Sequence, residues 1–398
     1  MEPSQCARCG ACTVVCPVFR AEPRESATAR GRMHLLTLKL AAAPSSRFRE
    51  IFSRCLLCGA CEQVCSRNLP ITELVIQARS RFPELYGPHP LQKKAVRSAL
   101  AHPDLLERLV RAGIRLSRLK GLPLSSGLRL KLGLLEQEQA ESDLAPIAAS
   151  NSGKEIYYFS GCLAGHVQPS IGRATAALAR ASGFDPHLAA AQGCCGLAAL
   201  AAGRLDEARR LAWRNIQAFA DTSGPILTSC ASCSSHLRHY GELFAGDPER
   251  QEAAQTFADR VHEFSAFFLG QASLSFSLPI VQSVFYHDPC HQRCTRSGRE
   301  APRQLLDRVV HLKRIEPVDG PHCCGQGGLF HIGYPELSGH IFKRCLDAAL
   351  PGQPDLVTTT CSGCLMQWQA GVQEHGLSVR VVHLACLLAD SLASNSDG

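Results

Sequence analysis

The sequence CARCGACTVVCP, residues 6–17, decides the fold of the N-terminal region, and CLLCGACEQVC, residues 55–65, repeats its cysteine spacing. Each run places three cysteines at intervals of three positions and a fourth cysteine four positions further on. Thiols at this spacing can line one tight loop around a compact metal centre, and the Gly-Ala pair before the third cysteine lets the backbone approach that centre. The duplicated register therefore predicts two metal centres in one small domain.

This spacing is that of bacterial ferredoxins, which hold [4Fe-4S] cubes and in which the fourth cysteine of a run ligates the other cluster. We therefore expect two cubane clusters, one held by Cys6, Cys9, Cys12 and Cys65 and the other by Cys55, Cys58, Cys61 and Cys16. A pair of zinc sites is the alternative, because zinc also uses Cys-x2-Cys spacing. Eight cysteines in a duplicated register favour iron. Pro17 follows the first run as in ferredoxins, whereas Ser66 follows the second.

Composition sets the general class of the protein. The 398 residues predict two or three domains, and 45% hydrophobic with 19% charged residues exclude a disordered or fibrous chain. The 21 cysteines are an odd number, so disulfides cannot pair them all. No apolar leader precedes Cys6, and no run approaches the roughly 18 apolar residues of a membrane span. We therefore expect a cytoplasmic protein without a transmembrane segment, whose clustered cysteines bind metal or do redox chemistry.

A second duplicated cysteine pattern occupies the C-terminal part of the chain. Each copy has a single cysteine, a Cys-Cys-Gly and a Cys-x2-Cys; the first copy is Cys162, Cys194, Cys195, Cys230 and Cys233, and the second is Cys290, Cys323, Cys324, Cys361 and Cys364. Five thiolates exceed what tetrahedral zinc needs. The pattern predicts two further metal sites, with zinc or a plain cube in one of them as the alternative.

Apolar runs alternate with helical patterns around these cysteines, which predicts an α/β module with mostly parallel strands. The predicted strands are 155–159, 225–228, 283–286 and 355–359, and the predicted helices are 171–181, 205–220, 302–310 and 338–350. A cysteine follows each predicted strand, namely Cys162, Cys230, Cys290 and Cys361. Open α/β sheets bind their ligands at the carboxyl ends of the strands, so the cysteines are placed for metal binding.

The two duplications divide the chain into four parts. We expect an α+β two-cluster ferredoxin-like domain embedded in helices at 1–85, a basic helical linker at 86–153, and two pseudo-repeated cysteine-rich domains at 154–275 and 276–398.

Residues 93–131 carry ten basic side chains and two acidic ones, and apolar residues recur at helical spacing at Leu105, Leu109, Ala112, Leu116 and Leu119. This pattern predicts an amphipathic basic helix. The helix either packs on its own protein or docks on an acidic partner or on the inner face of the cell membrane.

The combination of motifs resembles a known family. The doubled Cys-Cys-Gly pattern is similar to that of the heterodisulfide reductase catalytic subunit, whose CCG domains hold non-cubane [4Fe-4S] clusters. Two ferredoxin runs followed by two CCG domains resemble the glycolate oxidase iron-sulfur subunit, a family that extends to the iron-sulfur subunits of lactate and anaerobic glycerol-3-phosphate dehydrogenases. Further matching stretches are RGR at 30–32, GCCG at 193–196 and HDPCH at 287–291.

The resemblance implies the iron-sulfur electron-transfer subunit of a 2-hydroxyacid dehydrogenase or oxidase complex. A partner FAD subunit would oxidise glycolate or lactate, and this chain would pass the electrons to a quinone or another acceptor. The CCG domains would hold one or two further [4Fe-4S] clusters of the non-cubane type. No Rossmann fingerprint or other catalytic motif stands out, so we expect neither a flavin nor a catalytic residue on this chain.

Two other functions stay open from the sequence. The complete sets of five cysteines fit a thiol or disulfide reductase similar to heterodisulfide reductase. A cluster-bearing redox sensor is the second alternative, although no motif predicts a nucleic-acid partner.

Eight further residues are of interest. Cys345 and Cys386 lie in apolar helical patterns and are expected to pack in the core, whereas Cys294 lies four positions past Cys290. Histidines close to the cysteines could donate to cluster sulfides, or could be ordinary loop histidines; these are His166, His236, His287, His291 and His322. The two that bracket Cys290, His287 and His291, are the first candidates.

Overall fold

The computed structural model describes residues 2–38, 45–81, 89–117, 154–271 and 274–392. Most of the predicted linker, 118–153, lies outside these ranges, and so does the last part of the predicted basic helix. Within the described residues, no helix has both the length and the apolar character needed to cross a bilayer.

The N-terminal domain is built from short helices, which are α1 (Ala11–Val15), α2 (Pro17–Ala21), α3 (Ala29–Thr37), α4 (Ser46–Ser53), α5 (Ala60–Gln63) and α6 (Ile71–Ser80). Residues 2–38 and 45–81 contain no strand, so the α+β class expected for this domain is wrong in that part. The reason is the backbone of the cysteine loops, where Arg8 and Leu57 have a φ of 55° that interrupts extended chain. The core of the domain comprises Met33, Phe52, Leu69 and Val75.

Two helices follow, α7 (Pro90–Ala101) and α8 (Pro103–Ser117). In α8, Leu106 and Val110 are buried against the segment that carries Cys162. Leu105 and Leu109, which belong to the predicted apolar stripe, are instead 41% and 52% exposed. The helix thus packs on its own protein through one face and presents a second apolar stripe outward.

The C-terminal region contains two four-stranded parallel sheets of equal topology, with orders β2-β1-β3-β4 and β6-β5-β7-β8. The strands are β1 (Lys154–Tyr158), β2 (Phe184–Leu188), β3 (Ile226–Thr228), β4 (Val261–Glu263), β5 (Ser283–Tyr286), β6 (Lys313–Ile315), β7 (Leu356–Thr359) and β8 (Arg380–His383). The four predicted strands are therefore present within one residue at each end, and the expected parallel pairing is confirmed.

Helices connect these strands in the order α9 (Gly161–His166), α10 (Ser170–Ala181), α11 (Leu197–Ala201), α12 (Leu205–Ala218), α13 (Ala231–Leu237), α14 (Tyr240–Leu243), α15 (Pro248–Asp259), α16 (Phe264–Leu269), α17 (Arg296–Asp307), α18 (Phe330–Gly333), α19 (Pro335–Ala349), α20 (Ser362–Glu374) and α21 (Leu384–Asp390). The helix predicted at 302–310 begins six residues earlier, because the Thr295 side chain caps it by accepting from the Gly298 amide at 3.1 Å.

The two sheets share their core. Ile226 of the first sheet and Val357 of the second belong to one buried cluster, which also contains Trp368. Helices α10 and α21 pack across the boundary, as do α16 and α17. The Ala231 amide donates to the Thr360 carbonyl oxygen at 2.8 Å, so the loops that follow β3 and β7 are joined directly.

The N-terminal domain docks on both halves of this region, mainly through an apolar cluster with the second half. Val18 and Leu56 pack with Phe330, Tyr334 and neighbouring residues of α18 and α19 in one buried cluster. A second link is Arg79, whose guanidinium donates to the carbonyl oxygens of Cys55 and Ala201, both at 2.6 Å.

Candidate iron-sulfur sites

The two N-terminal cysteine loops follow the same backbone path. Arg8 and Leu57 occupy equivalent positions with the same φ of 55°, and Gly10 and Gly59 have φ values of 83° and 69° at the starts of α1 and α5. A non-glycine residue pays roughly 1–2 kcal/mol for this conformation, so the surrounding contacts determine the path of each loop. Both runs therefore present their cysteines in the same arrangement.

The first group of thiols lies in one cleft of the N-terminal domain, which is lined by Cys6, Cys9, Cys12 and Cys65 and also by Cys61 of the second group. Ala29 and Met33 also line this cleft. The structure thus brings the fourth cysteine of the second run to the first three of the first run. Cys9 is exposed to solvent, whereas the other three are partly buried.

The second group forms around Cys61. Burial raises the pKa of Cys61, and the charges of Cys55, Cys58 and Cys16 raise it further. Burial and the charge of Cys55 also raise the pKa of Cys16. Cys16 and Cys58 also pack against the same buried cluster, so Cys16 lies with cysteines of the second run. Neutral crowded thiols become thiolates when a cation binds them, which is the chemistry of an iron-sulfur ligand set.

In the first CCG half the cysteines converge at the carboxyl ends of β1 and β3, the adjacent strands between which the strand order reverses. The Cys233 and Cys195 sulfurs are 3.6 Å apart, and Cys194 lies within hydrogen-bonding reach of Cys162. Asn215 donates to the Cys194 carbonyl oxygen at 3.0 Å, and the Tyr240 hydroxyl donates to that of Cys195 at 2.7 Å. Polar side chains therefore hold the Cys-Cys dipeptide from behind.

The second CCG half repeats this arrangement. The Cys324 and Cys364 sulfurs are 3.4 Å apart, and Cys323 and Cys290 lie beside them. Gly325 has a φ of 82°, and a Cβ there would lie 2.6 Å from the Ser338 carbonyl oxygen. Only glycine fits this turn, which explains the third letter of the Cys-Cys-Gly motif.

The two CCG sites face each other. Cys230 of the first half and Cys361 of the second lie within hydrogen-bonding reach. The Ser232 hydroxyl lies 3.2 Å from the Cys361 sulfur and 3.1 Å from Nδ1 of His291, which is 3.6 Å from the Cys290 sulfur. Five side chains thus form a continuous polar connection between the two cysteine sets.

The second N-terminal group adjoins the second CCG site. Burial and then the charge of Cys290 raise the pKa of Cys58 to about 12. The buried guanidinium of Arg293 lies near both, and the charges of Cys290, Cys58 and Cys323 raise its pKa against the effect of burial. Sequence reasoning missed Arg293 and Ser232, since neither belongs to a cysteine motif.

The donor sets fit iron-sulfur clusters. All 21 cysteines are free, and the sulfurs that approach one another do so without a disulfide bond. Burial raises the pKa of the thiols of Cys58 and Cys61, so they need a metal cation to become thiolates. Nε2 of His236 is buried beside Cys194 and has no hydrogen-bond partner among the described residues. A cluster sulfide or a ligating sulfur would satisfy it.

Of the five histidines singled out, three lie beside the cysteines. His287 contacts Cys324 and Cys345, and His236 and His291 lie between the two CCG sites. His322 instead bonds the Asp319 carboxylate at 2.6 Å, and His166 lies near the carboxylates of α8. Cys345 and Cys386 are packed as expected, and Cys294 is exposed.

Family models match most of the chain. The 4Fe-4S dicluster domain matches residues 2–69, and the cysteine-rich CCG domain matches residues 156–238 and 284–369. The chain is 29% identical to the probable glycolate oxidase iron-sulfur subunit of Bacillus subtilis over 97% of its own length and 93% of the relative. It is 31% identical to lactate utilization protein A of Macrococcus caseolyticus, with 59% of this chain and 96% of the relative aligned.

The chain belongs to the glycolate oxidase iron-sulfur subunit family. The resemblance drawn from the motifs is thereby confirmed, and so is the pairing of an iron-sulfur dicluster domain with two CCG domains.

Two more distant proteins also align. A fumarate reductase (CoM/CoB) subunit from Methanothermobacter marburgensis is 25% identical over 96% of this chain and 71% of the relative. A crystal structure of a hypothetical protein from Helicobacter pylori has a TM-score of 0.51 at 10% identity, covering 92% of this chain and 68% of that chain, and it supports the fold alone. The domain boundaries drawn from the sequence stay a prediction.

Proposed function

We propose that this chain is the electron-transfer subunit of a 2-hydroxyacid dehydrogenase or oxidase complex. The observation that carries the proposal is a continuous series of thiol groups from the molecular surface to the centre of the CCG region. It begins at the exposed Cys9, crosses between the domains at Cys58 and Cys290, and ends where Cys361 meets Cys230.

Each thiol group would hold one iron-sulfur cluster. The first cubane [4Fe-4S] cluster takes Cys6, Cys9, Cys12 and Cys65, and the second takes Cys16, Cys55, Cys58 and Cys61. The two CCG sets, each of five thiols, take clusters of the non-cubane type. Iron-sulfur clusters exchange single electrons, and the protein's part is to hold them at short separations and to set their potentials with charges and hydrogen bonds.

The partner of such a chain is a flavoprotein. A reduced FAD carries two electrons, whereas each cluster accepts one, so several adjacent clusters allow the pair to leave the flavin stepwise. Glycolate and lactate are the substrates in the names of the relatives, and we assign their oxidation to an FAD subunit. This chain would then deliver the electrons to a quinone or another acceptor.

The exposed side of the first thiol group provides a contact surface for one of these partners. Val64 is 37% exposed and lines the cleft of Cys9 together with Arg8 and Arg67, and Val14, which is 66% exposed, follows Cys12 by two positions on α1. An apolar centre with a basic rim fits a redox partner with an acidic rim.

The outward stripe of α8 offers a second contact. Leu105 and Leu109 are exposed together with Arg108 and Arg111. Such a stripe suits an anionic membrane surface, which would place a cytoplasmic protein at the inner face of the membrane, near a quinone acceptor.

The test is reconstitution of the complex. The chain prepared without oxygen should show cluster absorbance and no glycolate or lactate oxidation by itself. Addition of the FAD subunit and substrate should reduce its clusters, and a quinone analogue should reoxidise them. Turnover by the chain alone would refute the proposal.

A second candidate function is a thiol or disulfide reductase. The facing sulfurs of Cys230 and Cys361, with Ser232 and His291 beside them, are the observation that favours it. A disulfide bound there would take two electrons from the reduced clusters and two protons, its S–S bond would break, and two thiols would be released. Reduced protein should then be oxidised by one member of a disulfide panel, and Cys194→Ser and Cys324→Ser should abolish that oxidation.

A further inference from the structure

The two CCG halves can be compared residue by residue, because they share one topology. Tyr158 and Tyr286 end the central strands β1 and β5, so the next residues, Phe159 and His287, are equivalent. Both precede the first cysteine of their set by three positions. On the helices behind the Cys-Cys-Gly turns, Gly196 faces Ala208 and Gly325 faces Ser338.

The alignment of Ala208 with Ser338 identifies another equivalent pair of residues. Counting seven residues onward from Ala208 and Ser338 reaches Asn215 and Cys345. Asn215 bonds the backbone around Cys194, through the Gly193 amide at 2.9 Å and the Cys194 carbonyl oxygen at 3.0 Å. Cys345 makes no such bond; its sulfur lies 3.5 Å from Nδ1 of His287.

The two halves therefore differ at the wall of the site. In the first half Phe159 is fully buried and offers no polar atom. In the second half His287 is equally buried, and its imidazole lies within hydrogen-bonding reach of Cys324. The ligand atoms of His287, Cys324 and Cys364 all lie within 4.8 Å of one another.

Cys345 holds the ring in this orientation. Its thiol occupies Nδ1, and the Trp368 ring packs edge-on at 5.8 Å between centroids. The second nitrogen of the ring is left for the cysteine set. A histidine that is fixed through one nitrogen and presents the other to a metal centre is a common arrangement in metalloproteins.

We propose that His287 donates a hydrogen bond to the sulfur of the cluster held by the second CCG site, and that this contact raises the reduction potential of that site above the value it would have without the histidine. The inference rests on the proposed function, because it requires an iron-sulfur cluster at this site. Phe159 cannot make the same contact in the first half.

The direction of the expected shift in reduction potential follows from electrostatics. A reduced cluster carries one more negative charge than the oxidised cluster, and a donor at its sulfur stabilises that charge. The second site lies beside Cys58, so it is also the first CCG site reached from the N-terminal domain. A higher potential there would favour electron transfer out of the ferredoxin-like domain.

The experiment is a redox titration followed by low-temperature EPR on three anaerobically prepared full-length proteins: the wild type, His287→Phe and Phe159→His. His287→Phe copies the first half into the second, and Phe159→His does the reverse. His287→Phe should lower the midpoint potential of one cluster signal. The equilibrium constant for transfer of one electron between the two CCG clusters should change about tenfold. For a one-electron couple this corresponds to a shift of 59 mV in the midpoint potential. Phe159→His should raise the midpoint potential of the cluster in the first CCG site.

A second readout separates a contact with the cluster from a general structural effect. Labelling histidines with ¹⁵N should give weak nitrogen hyperfine coupling on the second CCG signal. His287→Phe should remove the component that comes from His287 and leave any component from His291, whose Nδ1 lies 3.6 Å from the Cys290 sulfur. His375→Phe is the matched control, because His375 packs near the Phe342 ring and bonds the Gly371 carbonyl oxygen away from the cysteines. It should change neither the potential nor the coupling.

The outcomes separate this inference from the proposed function. Unchanged potentials in a fully iron-loaded His287→Phe protein would overturn the inference and leave the proposed function intact. Loss of iron from the second site in that variant would show that His287 is a ligand, and would also overturn it. A wild-type second CCG site without iron would overturn both. If His287→Phe does not fold, the midpoint potential of the first CCG cluster in Phe159→His tests the inference instead.

Discussion

Cys58 of the N-terminal domain and Cys290 of the second CCG half lie close enough for each thiolate to act on the other. This proximity joins two sites that are far apart in the sequence, and Arg293 is buried near both. Because the second N-terminal group also adjoins the first through Cys61, the chain connects its surface to its centre without a long gap between thiol groups.

Removal of the charge at this junction should alter both neighbouring sites. Arg293→Met should lower the potentials of the second cubane and of the second CCG cluster, since the guanidinium stabilises the more negative reduced states. Potentiometric EPR measures both shifts. Arg308→Met is the control, because Arg308 bonds only the Leu269 carbonyl oxygen among the described contacts. Equal shifts in the two variants would contradict the role of Arg293.

The crossed ligand arrangement is testable with single cysteine variants. Cys16→Ser should disturb the cluster of the second run and spare that of the first, because Cys16 lies with Cys55 and Cys61. Cys65→Ser should do the opposite. Iron analysis and EPR line shape report the loss, and Cys386→Ser should leave both clusters unchanged. Loss of the first-run signal in Cys16→Ser would refute the crossing.

The Cys-Cys-Gly turn should tolerate no side chain. Gly325→Ala should destabilise the protein by roughly 2–4 kcal/mol, since it adds backbone strain at positive φ to a clash with the Ser338 carbonyl oxygen. Gly376→Ala is the matched control, with a φ of 62° and no atom within 4 Å of the new Cβ. Its loss of stability reports the backbone strain at positive φ alone, about 1–2 kcal/mol. Anaerobic thermal unfolding by circular dichroism should rank the two in that order; equal loss in both would show that the clash is relieved.

The exposed thiol group should control association with a redox partner. Val14→Asp and Arg67→Glu should each slow cluster reduction by the FAD subunit or reoxidation by the acceptor about tenfold, through loss of apolar contact and of basic charge. Val281→Asp is the control, because Val281 is 79% exposed just before β5, at the end of the sheet away from the cysteines. Stopped-flow kinetics at two salt concentrations distinguishes the charge effect; unchanged rates in both variants would place docking elsewhere.

Glu263 should make stability depend on pH. Its carboxylate caps α16 through the Ser265 and Ala266 amides at 3.0 and 3.1 Å, while burial raises its pKa to about 7. The folded state therefore holds a proton that the unfolded chain releases above pH 4.5, so the free energy of unfolding falls as pH rises from 4.5 through 7. The full loss is on the order of 3 kcal/mol.

Glu263→Gln should remove this dependence. Its Tm relative to the wild type should be higher at pH 8.5 than at pH 6, as measured by anaerobic thermal unfolding. A Tm difference that does not change between the two pH values would show that Glu263 does not titrate in this range.

Much of the site follows from the sequence, because cysteine spacing fixes which thiols share a loop. Strands made mostly of apolar and aromatic residues, such as Ser283–Tyr286, were equally predictable from residue type. Strand β2 reads Phe-Asp-Pro-His-Leu. Its acidic residue and its proline are atypical of strands, so the sequence pattern does not predict it. Strands β4 and β6 read Val-His-Glu and Lys-Arg-Ile, and their charged residues conceal the apolar pattern that makes the equally short β3, Ile-Leu-Thr, recognisable.

Relationships between distant segments could not be predicted. The contact of Cys230 with Cys361 depends on how the two sheets pack, and that of Cys58 with Cys290 depends on docking between domains. The exchange of Phe159 for His287 is visible in the sequence only after the structure has aligned the two halves. Spacing identifies ligands within a loop, whereas tertiary packing decides which loops meet.

The central claim is that these cysteines hold iron and sulfide for electron transfer. Iron, acid-labile sulfide and zinc analysis of the anaerobically purified full-length chain, combined with EPR of the reduced protein, tests it most directly. Four [4Fe-4S] clusters predict about sixteen iron and sixteen sulfide per chain, with more than one interacting EPR signal. A folded chain that contained zinc in place of iron, or no metal at all, would contradict the account.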